Sequence, residues 1–161
     1  LATARTGSTA AHDHLVSELR PYTGQKILNL FVMAPETGRI MVSTNPDEVD
    51  TFKEDRPYFI NGKNGPYVHG PYNSIDLGVP TITIAAPIKS SSGRLLGVLA
   101  GRLKLDDMSV VINENSGKYK TEDSYLVNRS SLFVTQPRFI SDQAVLRLGI
   151  HTEALERGLR G

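Results

Sequence analysis

Residues 81–105 read TITIAAPIKSSSGRLLGVLAGRLKL, and this stretch decides the fold class. From Thr81 to Ile88, Ile82, Ile84, Ala86 and Ile88 fall on one side and Thr81, Thr83 and Ala85 on the other. A period of two is the signature of a strand, because successive side chains leave opposite faces of the pleat. Lys89 to Gly93 is a serine-rich turn. From Leu95 to Leu105 the alternation resumes, with Leu99, Gly101, Leu103 and Leu105 against Val98, Ala100, Arg102 and Lys104. Two long strands joined by so short a turn predict an antiparallel hairpin.

Upstream, Lys26 to Met33 again alternates, Ile27, Asn29, Phe31 and Met33 against Leu28, Leu30 and Val32. Pro35-Glu36-Thr37-Gly38 is a turn, and Arg39 to Ser43 returns as a strand. Ser8 to Leu19 has helical spacing of its apolar residues and is ended by Pro21 and Gly24. Asn45 to Lys63 is polar and irregular, with room for a short helix or two. Beyond it, Tyr67-Val68 and Pro71-Tyr72 read as short extended pieces. Downstream, Asp106 caps an expected helix to Glu114, and Asn115 to Asp123 is a polar loop. Ser124–Asn128 and Leu132–Gln136 are expected to form a last hairpin around Arg129-Ser130. Glu153 to Leu159 is helical in propensity, with a glycine cap after it. Antiparallel strands with peripheral helices give an α+β class.

The bulk numbers exclude several functions. The chain has 161 residues, 39% hydrophobic and 22% charged, enough for one folded domain with a core. Its net charge of +1 offers no basic footprint for nucleic acid. With no cysteine it has no disulfide, thiol nucleophile or cysteine zinc site. No apolar run is long enough to span a membrane, and no signal peptide is present. The chain starts at Leu1 without a Met, which we read as an excerpt of a larger protein.

Enzymatic constellations are missing: there is no G-x-S-x-G elbow, Walker A loop, G-x-G-x-x-G or H-E-x-x-H. His12 and His14 would point about 200° apart on a helix and cannot chelate together. His69 and His151 are isolated in sequence. Asp106-Asp107 are assigned to helix capping, and Asp47, Glu48 and Asp50 to a solvated loop, rather than to a metal. Asn128-Arg129-Ser130 matches a glycosylation sequon by chance. No cofactor or metal is expected, and the chain itself is read as not an enzyme.

What remains is a binding constellation. Asp55-Arg56-Pro57-Tyr58-Phe59 sets a guanidinium beside two aromatics in an irregular segment. Arginine offers a planar fork for carboxylate or phosphate, and Tyr58, Tyr67 and Tyr72 offer rigid walls with hydroxyl tips. Such convergence suits a small-molecule pocket. The same residues would equally serve to pack the insert on the sheet, with Arg56 paired to a nearby carboxylate.

The run from Leu30 to Arg138 resembles the membrane-distal lobe of a double Cache sensor domain, a PAS-like fold. The pieces that carry the resemblance stand in order. They are Thr37-Gly38-Arg39-Ile40 with Ser43-Thr44-Asn45-Pro46, then Asp55 to Phe59, then Pro71-Tyr72. Thr81 to Ile88 and Ser92 to Gly101 follow, and Tyr125-Leu126-Val127-Asn128 precedes Val134-Thr135. No single motif is strong; the ordered set covers about two-thirds of the chain.

The resemblance implies a central five-stranded antiparallel sheet, a long N-terminal helix and flanking short helices. It implies three parts: 1–22 as the end of the N-terminal helix or stem, 23–137 as the sensor lobe, and 138–161 as the crossover toward a truncated membrane-proximal lobe. It further implies an extracytoplasmic small-molecule sensor of a membrane-anchored receptor, with a sensor histidine kinase as the output. A chemoreceptor, a diguanylate cyclase or a structural lobe that dimerises without binding ligand are the alternatives. A homodimer through the N-terminal helix is also implied.

The family's ligand-binding arginine and aromatics match Arg56, Tyr58, Phe59 and Tyr72, and Tyr67 is placed with them. Members that bind amino acids hold the ammonium with two aspartates. Those positions carry Ser74 and Arg102 here. A cationic amine would lose charge-assisted bonds of roughly 1.5–3 kcal/mol each. Free α-amino acids are therefore not expected as ligands. If Arg102 faces the pocket with Arg56, an organic anion is favoured. If it pairs with Asp76 or another carboxylate, the pocket is neutral or vestigial. Asp76 as a displaced ammonium partner keeps the amino-acid reading open.

Overall fold

A computed structural model describes residues 2–24, 26–105, 108, 110–112 and 119–160, with side chains from residue 10 onward. Helix α1 spans Ala2–Leu19 and is followed by a 3-10 turn, Arg20–Tyr22. The strands are β1 Ile27–Met33, β2 Ile40–Ser43, β3 Tyr67–Asn73, β4 Pro80–Lys89 and β5 Leu95–Lys104. They form one five-stranded sheet in the order β2-β1-β5-β4-β3. A short helix, α2, Pro57–Gly62, sits in the insert, and α3, Glu153–Arg160, closes the chain. The expected α+β, PAS-like arrangement is the one observed.

The chain divides into two compact units, Leu1–Gly70 with Ile82–Leu103, and Pro71–Thr81 with Lys104–Gly161. In the first, β1 pairs antiparallel with β2 and β5, and Asn29 stands opposite Arg102 in the β1–β5 register. The turn between β1 and β2 needs Gly38, whose φ is +66°. A Cβ there would stand 2.6 Å from the Glu54 amide nitrogen, so the position excludes any side chain. After β2 the chain folds back along its free edge. Ile40 N donates to Thr51 O at 2.8 Å and Lys53 N to Gly38 O at 3.0 Å. Arg39 clips this return through Asp50, at 2.9 Å from Nε and 2.5 Å from Nη2.

The buried face of the sheet is the less apolar one. On β4, Thr83 and Ala85 are buried while Ile84 is 42% exposed. On β5, Val98, Ala100 and Arg102 are buried, and Leu99 and Leu103 only half so. The reason is close approach. A Cβ on Gly62 of α2 would lie 2.9 Å from Ala85 Cβ and 3.1 Å from Val98 Cγ1. Small residues on one side of β4 let α2 lie directly on the sheet and drive Tyr58 and Phe59 into the core. There they join Phe31, Met33, Ile40, Ala85, Val98 and Ala100. Each large member buried this way contributes about 1.5–3 kcal/mol.

The two extended pieces expected at Tyr67-Val68 and Pro71-Tyr72 are one strand, β3. It lies at the sheet edge, where a proline is tolerated.

The second unit has little regular structure. The hairpin expected over Ser124–Gln136 is reduced to isolated bridges, Val127 with Phe133 and Leu132 with Gly149. Two backbone bonds cross the hairpin, Val134 N to Leu126 O at 2.7 Å and Asn128 N to Leu132 O at 3.0 Å. Side chains add to them: Leu126 N donates to Thr135 Oγ1, and Leu132 N to Asn128 Oδ1. Phe133, Val134, Thr135 and Ala144 are buried, and Tyr125 meets Phe133 edge-on at 5.0 Å. The helix expected at Asp106–Glu114 lies largely outside the described residues, Asp106 and Asp107 included. So do the polar loop's first residues, to 118, and the glycine cap at 161.

Candidate ligand-binding site

The insert is positioned by its own turns. Asn45 accepts from Asp47 N at 3.3 Å and caps a 3-10 turn, Pro46–Glu48. Thr51 Oγ1 donates to Glu48 O at 2.7 Å, which fixes the end of that turn. The result is a buried carboxylate. Glu48 is 5% exposed, so its assignment to a solvated loop is corrected. Asn45 and Pro46 start the turn early enough that the third residue points inward, while Asp47 stays outside.

Glu48 meets Arg102. The Arg102 Nη1 donates to Glu48 Oε1, and Asn29 Nδ2 donates to Glu48 Oε2 at 2.7 Å. The guanidinium carbon stands 4.8 Å from the centroid of the Phe31 ring. Burial alone would lower the Arg102 pKa. The Glu48 carboxylate and the Tyr58 hydroxyl overcome that and hold it above its ordinary value. Arg102 is fully buried, and its charge is answered inside the protein rather than directed to a free ligand.

Arg56 has a different setting. It precedes the first turn of α2 in extended conformation (φ −81°, ψ 134°), and Pro57 begins the helix. Its side chain is 42% exposed and lies 3.4 Å from Asp55. Asp55 is itself mostly exposed, and such pairs are worth little. His69 on β3 responds to this cation: its pKa is lowered by burial first and by Arg56 second. Tyr58 lies edge-on to Phe31 and 6.2 Å from the His69 ring. Phe59 carries Lys63 Nζ over its face at 4.6 Å. Tyr67 is half-buried against the core.

The other two residues named from sequence fall in the second unit. Tyr72 is half-buried on β3. Ser74 is buried, and its Oγ accepts from Leu77 N at 3.3 Å within a turn also closed by Gly78 N to Ser74 O at 2.8 Å. Its side chain is occupied locally.

Sequence reasoning missed Asn29, Glu48 and Lys53, the last 5% exposed. A signal for the first two existed. Asn29 and Arg102 are polar residues at inward positions of two alternating strands, and a buried guanidinium requires a carboxylate. Among the described residues, no cluster of three or more His, Cys, Asp or Glu side chains is arranged to hold a metal.

No protein-family model matches the chain, and no curated protein matches it. Solved structures do. An extracellular ligand-binding receptor from Desulfohalobium retbaense superposes with a TM-score of 0.64 at 14% identity, over 84% of this chain and 24% of that one. The ligand-binding domain of Mlp24 with asparagine gives 0.60 at 18%, over 83% and 55%. The extracellular domain of the putative histidine kinase rpHK1S-Z16 gives 0.55 at 14%, over 82% and 62%. The chain thus spans between a quarter and three-fifths of the length of these proteins. At such identities the likeness establishes the fold.

Proposed function

We propose that the chain is the extracytoplasmic small-molecule-sensing domain of a transmembrane receptor and is not itself an enzyme. The observation that carries this is the shared fold of the receptor domains above, over more than four-fifths of the chain. The output is a sensor histidine kinase in this reading; a chemoreceptor or cyclase would use the same domain. No helix among the described residues is long and apolar enough to cross a membrane; membrane anchoring through a longer parent protein is part of the proposal. The three-part division at 22 and 137 and the homodimer through α1, whose Leu15 is 48% exposed, are part of the same proposal.

The ligand class follows from the two arginines. Arg102 is neutralised by Glu48, so it adds no net charge for an anion to meet. Arg56 is half-exposed and bordered by the His69 ring. The pairing of Arg102 with a carboxylate is the case in which the pocket was expected to be neutral or vestigial, so the two-arginine basis for an anion is lost. With Arg56 alone left half-exposed, we assign a small organic anion to Arg56. The amino-acid alternative keeps the support of the asparagine-bound Mlp24 domain, but the resemblance to Cache domains implies an ammonium-holding aspartate where this chain has Arg102. One observation favours a structural lobe instead: Tyr58 and Phe59 are 2% exposed and packed in the core.

A thermal-shift screen against organic acids, amino acids including asparagine, amines and sugars separates these readings. A ligand at 100 times its Kd stabilises the fold by about 2.7 kcal/mol. The expected result is a shift with an organic acid that disappears in Arg56→Ala. A shift with a neutral amino acid, also lost in that variant, would overturn the anion assignment. No shift with any class would favour the structural lobe.

A further inference from the structure

The second unit contains a cleft of its own. It has a volume of about 430 Å³, which falls in the range of small-molecule sites. One wall is the turn that leads into β4, with Val79 and Pro80 as its apolar surface and Asn73 beside them. The other is the segment 143–147, with Val145 apolar and Gln143 and Arg147 polar.

Both walls are held by dense local bonding. On the first, Ser74 N donates to Val79 O at 3.1 Å, over the Ser74 Oγ contact already described. On the second, the Gln136 side chain acts as a frame. Its Nε2 donates to Ile140 O at 2.8 Å and Asp142 O at 3.0 Å, and its Oε1 accepts from Ala144 N at 3.0 Å. Ala144 is fully buried, and its carbonyl accepts from Arg147 N and Leu148 N, both at 3.0 Å. Leu146 N donates to Phe133 O at 2.8 Å with a φ of +54°, a conformation that leucine adopts only when its surroundings impose it. The backbone under Arg147 is therefore fixed before any ligand arrives, which lowers the ordering cost of binding.

The charge of Arg147 distinguishes the cleft. Arg39, Arg56 and Arg157 each have a carboxylate within 4 Å. Among the described residues the Arg147 guanidinium has no side-chain partner, and no Asp or Glu lines the cleft. A concave surface with one unanswered cation raises the local concentration of anions. The fork of an arginine matches a carboxylate with two parallel bonds. The amides of Asn73 and Gln143 can serve a carbonyl or hydroxyl, and the two valines with Pro80 suit a short apolar body.

We propose that this cleft binds a small monocarboxylate with a short apolar chain, the carboxylate on Arg147. It is a second site, independent of Arg56.

The test uses the isotopically labelled chain, hexanoate as probe and uncharged hexanamide as its control, read by amide NMR shifts. Hexanoate is expected to move Gly78, Val79, Val145 and Arg147 saturably, and hexanamide to bind far more weakly. Arg147→Gln, an exposed substitution that leaves the core untouched, should weaken hexanoate by at least about tenfold, the loss of one charge-assisted pair. Arg147→Lys, which keeps the charge without the fork, should fall between. Arg56→Ala should change nothing at these amides. The proposal is overturned if hexanoate moves none of them saturably, if Arg147→Gln binds it unchanged, or if the response disappears in Arg56→Ala.

Discussion

The two units solve the burial of polar groups in opposite ways. In the first, a five-residue set built on sheet and insert encloses full charges: Arg102 and Glu48, joined by Asn29, Tyr58 and the Phe31 ring. In the second, neutral amide and hydroxyl groups supplement sparse backbone pairing: Gln136 for the 140–144 segment, Asn128 and Thr135 for the short hairpin. A charge network is costly to break and indifferent to what surrounds it once closed. An amide frame is cheaper to break, and it leaves its neighbours' charges, such as Arg147, free to act outward. The contrast teaches that an arginine's role depends on which polar solution its neighbourhood uses.

The strongest way to break the comparison is to remove one partner of the charged set. Glu48→Ala leaves the Arg102 guanidinium buried without its carboxylate and should cost about 3–5 kcal/mol in urea denaturation. The triple replacement Asn29→Leu, Glu48→Leu and Arg102→Met removes both charges and the Asn29 amide together, leaving Tyr58 and Phe31, and should recover most of that loss, since apolar residues of similar volume replace such groups at little cost. Equal destabilisation of the single and triple variants would show that shape, not compensation, is what Glu48 supplies.

A smaller effect is expected in the second unit. Gln136→Ala deprives two carbonyls and the Ala144 amide of their partner and should cost about 1–3 kcal/mol. Its signature is local: faster hydrogen exchange over 140–148 with β1 and β5 protection unchanged. Loss of protection throughout the sheet would mean that the frame supports more than its own segment.

The sequence made the sheet legible because period-two alternation is a backbone property, readable wherever one face is more buried than the other. It did not tell which face. Ile82, Ile84 and Ile88 outweigh Thr81, Thr83 and Ala85 in apolarity, yet Thr83 and Ala85 are the buried ones, because Gly62 of α2 needs small residues beneath it. That preference comes from a contact twenty-three residues away in sequence and leaves no trace in local period. The same distance hid Glu48, whose partner lies fifty-four positions on. The hairpin within 124–136 is shorter than expected because Thr135 and Asn128 side chains take the Leu126 and Leu132 amides, and residue type alone does not say which partner wins. At the candidate site, Arg56 and its aromatics were found from their adjacency in sequence. The compensation of Arg102 required the β1–β5 register.

The finest test of the comparison concerns His69, which reports on the half-exposed Arg56 of the first unit. Burial is the larger cause of its lowered pKa and Arg56 the smaller, with Tyr58 the neighbouring ring. A histidine whose folded pKa lies below its unfolded value contributes stability that is fully present above about pH 6.5. That contribution is lost as pH falls through the folded value, because the unfolded chain then binds the extra proton. Arg56→Ala should therefore raise the imidazole pKa in an NMR titration without restoring it to the ordinary value, since burial persists. A bound organic anion on Arg56 should do the same in the wild-type chain by offsetting the guanidinium charge. An imidazole pKa unmoved by Arg56→Ala would separate the two groups and take His69 out of the proposed anion site, leaving Arg56 to hold the ligand alone.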